Sequence, residues 1–310
     1  MSTRFIGTDI DRALEILRNG GLVALPTETV YGLAADASQK EAVTRIFTVK
    51  GRPNNHPLIV HVGSIDTARP WSSMWTQSAE LLGTTYWPGP LSVVVEKSPD
   101  VLVEVTGGHH TVALRVPGHL MAIELLTRLS GGLAAPSANK FGKVSPTTAQ
   151  HVWDDLGTSV DYILDGGPCE VGIESTIVDC STGIPVVLRP GGISTEDIHK
   201  IVEIGDDDLG ISRAPGMLPA HYAPQCEVTL LNDYAEISQL ARSTEPVTSR
   251  VLDASIDPIG FASLMYAQLR QCDVDGVRQL FVVLPEPNGI GLAIRDRLTK
   301  AAHGSKNQSH

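Results

Sequence analysis

The segment from Lys50 to His61 contains the side chains best suited to bind a charged ligand. This segment has four basic or titratable side chains and no carboxylate, although the net charge of the 310-residue chain is −11. An arginine can bind a phosphate or a carboxylate through two parallel hydrogen bonds, and a lysine adds a point charge. The segment is therefore a candidate anion site, and a solvated basic loop is the alternative that its spacing leaves open. The four side chains are Lys50, Arg52, His56 and His61.

Apolar runs on either side of this segment indicate how the fold positions it. Residues 22–25 are typical of a short buried strand, and three polar side chains at 27–29 follow that strand directly. We expect a turn at Gly32 and a helix over the next apolar positions. Residues 58–62 form the second apolar run and predict another strand at the far end of the basic segment.

Capping patterns and β-branched runs predict further elements along the chain. Ser64 can cap a helix that runs to about residue 83, although Pro70 interrupts its pattern. Ser145, with a proline directly after it, predicts the start of another helix. Residues 91–97 are rich in valine and predict a strand.

Polar side chains at predicted strand ends and loops extend the candidate site over the first 200 residues. Ligands of α/β sheets bind outside strand ends, so we expect these groups to converge. The chain has no phosphate-binding glycine loop, dinucleotide fingerprint, nucleophile elbow or HExxH zinc motif. Cations and hydroxyls without an obvious nucleophile favour a reaction between two bound substrates, such as acyl transfer to the α-phosphate of a nucleotide. The set is Thr29, Lys50, Arg52, His61, Thr111, Arg115, Ser137, Asn139, Ser145, Ser175 and Arg189.

The sequence contains no strong metal-binding pattern. His109 and His110 are adjacent, and adjacent residues do not share a face of a helix or a strand. Asp165, Glu174 and Asp179 could hold magnesium, but carboxylates are common at strand ends. The four cysteines lack CxxC spacing and are therefore interpreted as thiols in a reducing compartment.

Composition excludes several classes of protein. No apolar run reaches the ~18–20 residues of a membrane span, and the first residues lack the apolar core of a signal peptide. We therefore expect a cytoplasmic protein that does not enter a membrane. The negative net charge and the 5% aromatic content argue against tight nucleic-acid binding and against a base-stacking surface.

The pattern divides the chain into two domains. Residues 1–204 hold the candidate site. Residues 205–225 contain several prolines and no periodicity, and they are predicted to be a linker, although His221 and Tyr222 are unusual in an idle spacer. Residues 226–305 alternate strands and helices, including a helix near 234–242, and predict a small three-layer α/β domain with a parallel sheet. A disordered tail is expected at 306–310.

The order of several motifs resembles the threonylcarbamoyl-AMP synthase family, which is built on a YrdC-like domain. This resemblance implies an α/β fold with a twisted open mixed sheet and helices around a concave basic cavity. It also implies the two-domain form, with a small Rossmann-like C-terminal domain. The motifs are PTETVYGL, KGRP, HPLIVH, TVALRVP, APSAN, VSPT, ESTIVD, VLRPGG and, for the two-domain form, PGMLPAHYAP.

The resemblance also implies a reaction. Members of the family condense L-threonine, bicarbonate or CO2, and ATP to L-threonylcarbamoyl-AMP and pyrophosphate, which makes them nucleotidyltransferases. The product serves the N6-threonylcarbamoyladenosine modification of ANN-decoding tRNAs through a downstream tRNA threonylcarbamoyl-transfer machinery. Magnesium would arrive with ATP, and no protein ligand for a metal is expected.

Residue roles follow from the motif positions that match. Lys50 and Arg52 would stabilise charge during catalysis, with no single general base, and the linker would close over the site as a lid. His56 departs from the asparagine that many relatives have there. Threonine would be bound by Thr29, His61, Arg115, the backbone of Ala135, and Ser175, with its carboxylate on Arg115. ATP would be bound by Lys50, Arg52, His56, Thr111, Ser137, Asn139, Ser145, Arg189 and Tyr222.

Two other functions stay open at this point. A carbamoyltransferase could use the same domain to form a carbamoyl adenylate from carbamoyl phosphate, but such relatives carry the domain beside other large catalytic modules. An RNA-binding factor could grip structured RNA on a concave basic surface, but the acidic charge balance counts against it. Weak RNA binding beside an enzymatic reaction also stays open.

Overall fold

A computed structural model gives the structure of residues 5–205, 221–236 and 248–306. No helix within these ranges is long and apolar enough to cross a membrane. Several predictions fall outside the described residues. They concern positions 206–220 of the expected linker, most of the helix expected near 234–242, and positions 307–310 of the expected tail.

The first part of the chain, up to residue 205, forms one mixed sheet of 11 strands. Its strands are β1 (Ile6–Gly7), β2 (Val23–Leu25), β3 (Gly32–Asp36), β4 (Ile59–His61), β5 (Ser72–Met74), β6 (Leu91–Lys97), β7 (Thr111–Arg115), β8 (Leu133–Ala134), β9 (Tyr162–Leu164), β10 (Thr176–Asp179) and β11 (Val186–Arg189). The order across the sheet is β1-β9-β2-β3-β8-β4-β7-β6-β10-β11, and β5 pairs with β6. This confirms the predicted mixed sheet.

Helices surround this sheet. They are α1 (Ile10–Arg18), α2 (Lys40–Lys50), α3 (Ile65–Ala68), α4 (Gln77–Tyr86), α5 (Val103–Thr106), α6 (Leu120–Leu129), α7 (Ala149–Leu156) and α8 (Thr195–Ile201). Helix α2 is capped at its C-terminal end by Gly51, which has a φ of 64°. Because a glycine tolerates this left-handed conformation, the chain turns sharply there and enters the basic segment.

The prediction of one long helix from Ser64 to about residue 83 is wrong. Helix α3 ends at Ala68, a 3₁₀ turn follows over Arg69–Trp71, and the chain then forms β5 before α4 begins. The break occurs at Pro70, because proline lacks the backbone N–H that would extend the hydrogen-bond ladder of the helix.

Two other local predictions are also wrong. Gly32 begins strand β3 instead of forming a turn. This strand is stabilised by antiparallel pairing with β2 and β8. Its small residues have low strand propensity, so no local pattern in the sequence indicated the strand. The helix expected at Ser145 begins at Ala149 and is capped by Thr148. Ser145 is not free to cap a helix, because its hydroxyl donates to a carboxylate of Glu174, 2.7 Å away.

Burial on both faces of the sheet explains the apolar run in β2. Ala24 packs with Leu33 in the largest apolar cluster, whereas Val23 and Leu25 pack on the opposite face with Leu14 of α1. A strand buried on both faces needs apolar residues at consecutive positions. The run stops where the chain leaves the sheet, and the polar residues that follow are therefore held at a rigid edge.

The C-terminal part contains a three-stranded parallel sheet. Its elements are β12 (Glu227–Leu231), β13 (Ser249–Asp253), α9 (Pro258–Val274), β14 (Gln279–Val283) and α10 (Ile290–Lys306). The strand order is β12-β14-β13, and both pairs are parallel. The predicted parallel sheet is confirmed. Residue 306, which was expected in a disordered tail, is the last residue of α10.

One apolar cluster joins the two parts of the chain. Arg270 of α9 also forms an ion pair with Asp155 at the end of α7, with guanidinium-to-carboxylate distances of 3.0 and 2.6 Å. The C-terminal part is therefore packed against the elements that carry the candidate site. The cluster includes Val30, Val144 and Ile173 of the first part with Tyr222, Phe261, Met265, Tyr266, Ile294 and Leu298.

Gly191, just after β11, allows two backbone segments to approach closely. A Cβ atom at this position would lie 2.4 Å from backbone atoms of Glu174, Ser175 and Thr176. We predict that Gly191→Ala lowers the free energy of unfolding by about 1–3 kcal/mol, the usual cost of overpacking. Urea denaturation measures this change.

Gly183→Ala is the matched control, because no atom lies within 4 Å of the added methyl group. We expect its denaturation midpoint to equal that of the unmodified protein. Equal midpoints for both variants would contradict the close approach at Gly191.

Candidate active site

A cavity of about 50 Å³ lies at the edge of the large sheet, between the two parts of the chain. This volume holds roughly four water molecules, which is comparable to a small amino acid. Nine of the predicted site residues line the cavity, and the basic ones among them are buried. The lining residues are Thr27, Thr29, Val30, Gly32, Arg52, Ile59, His61, Arg115, Ala135, Pro136, Ser137, Glu174, Ser175, Arg189, His221 and Tyr222.

Arg115, at the end of β7, has a partner at each of its three guanidinium nitrogens. Its Nη1 donates to the hydroxyl of Thr29 at 2.8 Å, and its Nε donates to the carbonyl of Gly89 at 3.2 Å. Its Nη2 lies 2.7 Å from Oε1 of Glu28. The two groups form an ion pair, but they are not aligned for a hydrogen bond. The guanidinium group is thus oriented on three sides, and its Nη2 retains a hydrogen-bond donor for a ligand.

The loop after β2 fixes Thr29 in place. The hydroxyl of Thr27 donates to the carbonyl of Val30 at 2.6 Å and accepts from the backbone N–H groups of Thr29 and Val30 at 3.2 Å. It also lies 2.9 Å from the hydroxyl of Thr29. Thr27 therefore positions the Thr29 hydroxyl toward Arg115. Sequence reasoning did not select Thr27 or Glu28 as site residues, although both lie in the PTETVYGL motif.

His61, at the end of β4, contributes a neutral imidazole. Burial lowers its pKa to about 3, and the nearby charge of Arg115 acts in the same direction. Its Nδ1 has no hydrogen-bond partner among the described residues. A buried polar atom without a partner is unfavourable, so this nitrogen is a candidate contact for a bound ligand.

Arg52 and Arg189 form the second cationic region of the cavity. Arg189 donates from Nε and Nη2 to the carbonyl of Ser175, at 3.2 and 2.8 Å. Arg52 donates from Nη2 to the carbonyl of Pro57 at 3.1 Å, and its buried Nε has no partner in the part of the chain that is described. Burial lowers the pKa of Arg52 to about 10, which leaves the group charged at neutral pH. Two buried cations supported mainly by carbonyls suit an anionic ligand.

Lys50 does not line the cavity. Its ammonium group donates to the carbonyls of Ser137 and Asn139, the second at 2.6 Å. Burial lowers its pKa well below the usual range, and the charge of Arg52 acts in the same direction. In this structure Lys50 anchors the loop that brings Ser137 to the cavity.

The remaining predicted nucleotide contacts lie outside the cavity lining. His56 is half-buried and packs edge-on against Phe141, with ring centroids 5.6 Å apart. Asn139 donates to the carbonyls of Lys140 and Lys143. Thr111 lies at the far end of β7 from Arg115, and the Ser145 hydroxyl is bound to Glu174.

His221 and Tyr222 close one side of the cavity. Their ring centroids are 4.1 Å apart, and both side chains are buried. Burial lowers the pKa of His221 to about 3, and its Nδ1 has no partner among the described residues. Tyr222 has a φ of 61°, an uncommon backbone conformation for an aromatic residue. The sequence singled out both residues as unusual in a spacer, but predicted a site role only for Tyr222.

Glu174 is a buried carboxylate in the cavity wall that sequence reasoning considered only as a possible magnesium ligand. Its Oε1 accepts from Ser145, and its Oε2 accepts from the Tyr266 hydroxyl and from Nε of Arg297, both at 2.8 Å. Burial would raise its pKa, but Arg297, Arg189 and these hydrogen bonds lower it to about 2. Within the described ranges, no group of three or more His, Cys, Asp or Glu side chains is arranged to hold a metal ion.

Two family models match the chain. One, described as "Telomere recombination" (Sua5, YciO and YrdC), matches residues 15–191. The other, described as "Threonylcarbamoyl-AMP synthase, C-terminal domain", matches residues 193–303. Together they cover most of the chain and confirm the resemblance found in its motifs.

Curated relatives agree with these models. The threonylcarbamoyl-AMP synthase of Pyrococcus abyssi is 37% identical, with 94% of this chain and 93% of the relative covered. That of Bacillus subtilis is 38% identical, with 95% and 93% covered. A putative threonylcarbamoyl-AMP synthase of Mycobacterium tuberculosis is 40% identical over 62% of this chain and 88% of its own.

Solved structures extend the similarity to the fold. P. abyssi Sua5 complexed with L-threonine superposes with a TM-score of 0.91 at 35% identity, with 97% of this chain and 98% of that chain covered. Escherichia coli YciO and Thermococcus kodakarensis HypF, at 23% and 19% identity and a TM-score of 0.52, share the fold alone.

We predict that His61 and His221 make the stability of the protein depend on pH. Their pKa values of about 3 lie below the unfolded value of about 6.5. Between these values the unfolded chain binds protons that the folded chain does not, so stability is complete above about pH 6.5 and is lost as the pH falls toward 3. Each histidine contributes a slope of about 1.4 kcal/mol per pH unit in that window.

Urea denaturation at pH 7, 6 and 5 tests this expectation. The variant with His61→Gln and His221→Gln should show a shallower fall of stability with pH than the unmodified protein. Identical slopes would mean that the two imidazoles are not held neutral in the folded state.

Proposed function

The chain belongs to the threonylcarbamoyl-AMP synthase family, and on that premise we propose that it condenses L-threonine, bicarbonate and ATP to L-threonylcarbamoyl-AMP and pyrophosphate. The observation that carries the proposal is the pairing of two subsites in one cavity, a small one at Arg115 and a cationic one at Arg52 and Arg189. The reaction is nucleotidyl transfer. Its product would serve the N6-threonylcarbamoyladenosine modification of tRNA in the cytoplasm, through a separate tRNA-modifying machinery.

The threonine subsite is proposed at Arg115. The guanidinium group would pair with the carboxylate of threonine, and the neutral His61 would offer Nδ1 to one of its polar groups. Ala135 and Ser175 would complete the contacts. The cavity volume, which suits a small amino acid, supports this assignment. The P. abyssi relative was crystallised with L-threonine, which agrees with a threonine ligand.

The nucleotide subsite is proposed beside it, at Arg52, Arg189, Ser137 and Tyr222. The two arginines would neutralise phosphate charge. ATP is much larger than the present cavity, so part of the cavity wall must move before ATP can enter. We propose that the moving part is the end of the linker that carries His221 and Tyr222, and that it acts as a lid, which excludes water once both substrates are bound.

The remaining nucleotide contacts that the resemblance implies are proposed for this opened arrangement. Thr111, Asn139 and Ser145 lie outside the present cavity lining, and so do Lys50 and His56. Lys50 would act indirectly in the closed state, by holding the loop that carries Ser137.

The proposed chemistry depends on orientation and on charge. The threonine amine adds to CO2 and releases a proton to water, or condenses with bicarbonate and releases water, and either route forms a carbamate. A carbamate oxygen then attacks the α-phosphorus of ATP, the bond to the β-phosphate oxygen breaks, and pyrophosphate leaves. Arg52 and Arg189 would stabilise the negative charge on the transferred group. No side chain is assigned as an obligatory general base.

The lining of the cavity offers one carboxylate to a magnesium ion. Glu174 is the one carboxylate among those that line the cavity, and its oxygens already accept hydrogen bonds from Ser145, Tyr266 and Arg297. We therefore propose that Mg²⁺ arrives bound to the phosphates of ATP, and no protein step is assigned to it.

Pyrophosphate release by the purified protein tests the proposed reaction. We expect release from ATP to require both threonine and bicarbonate, and mass spectrometry to detect a threonylcarbamoyl adenylate. Release without threonine but with carbamoyl phosphate would contradict the proposal in favour of a carbamoyltransferase. A lack of release together with salt-sensitive RNA binding in a gel shift would contradict it in favour of an RNA-binding factor.

Reciprocal lysine substitutions test the two subsites. We expect Arg115→Lys to raise the KM for threonine about 10- to 100-fold, because lysine cannot reproduce the oriented fork of a guanidinium group. Arg52→Lys should instead raise the KM for ATP or lower kcat, with little change in the KM for threonine. Each variant serves as the control of the other, and equal effects on both substrates would refute the separation into two subsites.

A further inference from the structure

Two side chains of the C-terminal part reach into the wall of the proposed active site. Tyr266 of α9 and Arg297 of α10 both donate to Oε2 of Glu174, at 2.8 Å. Both donors are fully buried, and Glu174 lines the cavity. The C-terminal part, which lines little of the cavity itself, therefore contacts the site through this carboxylate.

Glu174 places a negative charge where the proposed reaction needs positive charge. The low pKa of Glu174 keeps the carboxylate ionised, and it directly precedes Ser175, whose carbonyl binds Arg189. A buried charge acts strongly on its neighbours because little solvent screens it. An uncompensated carboxylate in this wall would repel the phosphates of ATP.

Arg297 compensates this negative charge through its ion pair with Glu174. Besides Glu174, its guanidinium group binds the carbonyl of Pro190 at 3.0 Å and pairs with Asp296. Its centre also lies 5.5 Å from the ring centroid of Tyr222, within the range of a cation–π contact. Arg297 thus contacts Glu174 in the cavity wall, Pro190 directly after Arg189, and Tyr222, which closes the cavity.

We propose that Arg297 is a positioning residue for the nucleotide: it neutralises Glu174 and thereby allows ATP to bind at Arg52 and Arg189. The proposal rests on the proposed function, since it takes ATP as the ligand of this cavity. It gives the C-terminal part a role in substrate affinity. Arg297 itself does not touch the substrate.

A double-mutant cycle tests the neutralisation of charge. Arg297→Met removes the cation that contacts Glu174, and we expect it to raise the KM for ATP at least ~10-fold while the KM for threonine changes less than ~3-fold. Arg297→Met combined with Glu174→Gln removes both charges, and the KM for ATP should return to within ~3-fold of that of Glu174→Gln alone. A role confined to packing would not produce this recovery, because Glu174→Gln restores none of the side-chain volume lost in Arg297→Met.

Matched variants protect the test against misfolding. Arg295→Met removes another arginine of α10, which binds the carbonyl of Pro285 and does not contact Glu174, and it should leave both KM values unchanged. Arg297→Lys keeps the charge but not the fork, and its KM for ATP should stay within ~3-fold of that of the unmodified protein. Thermal unfolding of every variant shows whether it is folded.

Three results would overturn the proposal. They are an unchanged KM for ATP in Arg297→Met, equal rises of both KM values, and a double variant no better than Arg297→Met. The affinity of a non-hydrolysable ATP analogue, measured by calorimetry, distinguishes failure of the Arg297 proposal from failure of the proposed function. If the unmodified protein binds the analogue and Arg297→Met binds it equally well, only the role of Arg297 is refuted. If the unmodified protein does not bind it, ATP is not the ligand and both proposals fail.

Discussion

The burial of three guanidinium groups in one small cavity is the constraint on which the site depends. Arg52, Arg115 and Arg189 are each less than 10% exposed. Removing a charge from water is unfavourable unless hydrogen bonds or an opposite charge replace the lost hydration. The fold supplies these replacements from fixed backbone, namely the carbonyls of Pro57, Gly89 and Ser175.

These backbone partners explain why the sheet is arranged as it is. Strand β7 places Arg115 beside β4, and the antiparallel pair of β10 and β11 brings Arg189 to Ser175. Carbonyls stabilise the arginines without neutralising them, although Arg115 also forms an ion pair with Glu28. The cavity therefore keeps an excess of positive charge, and an anion that binds there also stabilises the folded protein.

Much of this arrangement was predictable from the sequence, because residue type and position at strand ends carry local information. Arginines and hydroxyl groups next to apolar runs indicated an anion site, and the alternation of strands and helices after residue 226 indicated a parallel sheet. Strand β3 was missed because its stability comes from pairing with β2 and β8, which no local pattern encodes.

The carboxylates of the site were missed for a related reason. Whether an acidic residue pairs with a buried cation depends on contacts that are distant along the chain. Arg297 is 123 residues from Glu174, and Tyr266 is 92 residues away. Lys50 illustrates the opposite case. Its residue type suggested a phosphate contact, whereas its ammonium group donates hydrogen bonds to oxygens of Ser137 and Asn139 in the neighbouring loop.

The left-handed backbone of Tyr222 bears on how fast the proposed lid would reopen. A residue with a Cβ atom in this conformation is less stable by about 1–2 kcal/mol, which corresponds to roughly a tenfold change in an equilibrium constant. The strain offsets part of the packing energy that Tyr222 gains against Tyr266 and Arg297. In the proposed closed state this strain works against closure, so the site would reopen faster and release its product sooner than a site held by favourable contacts alone.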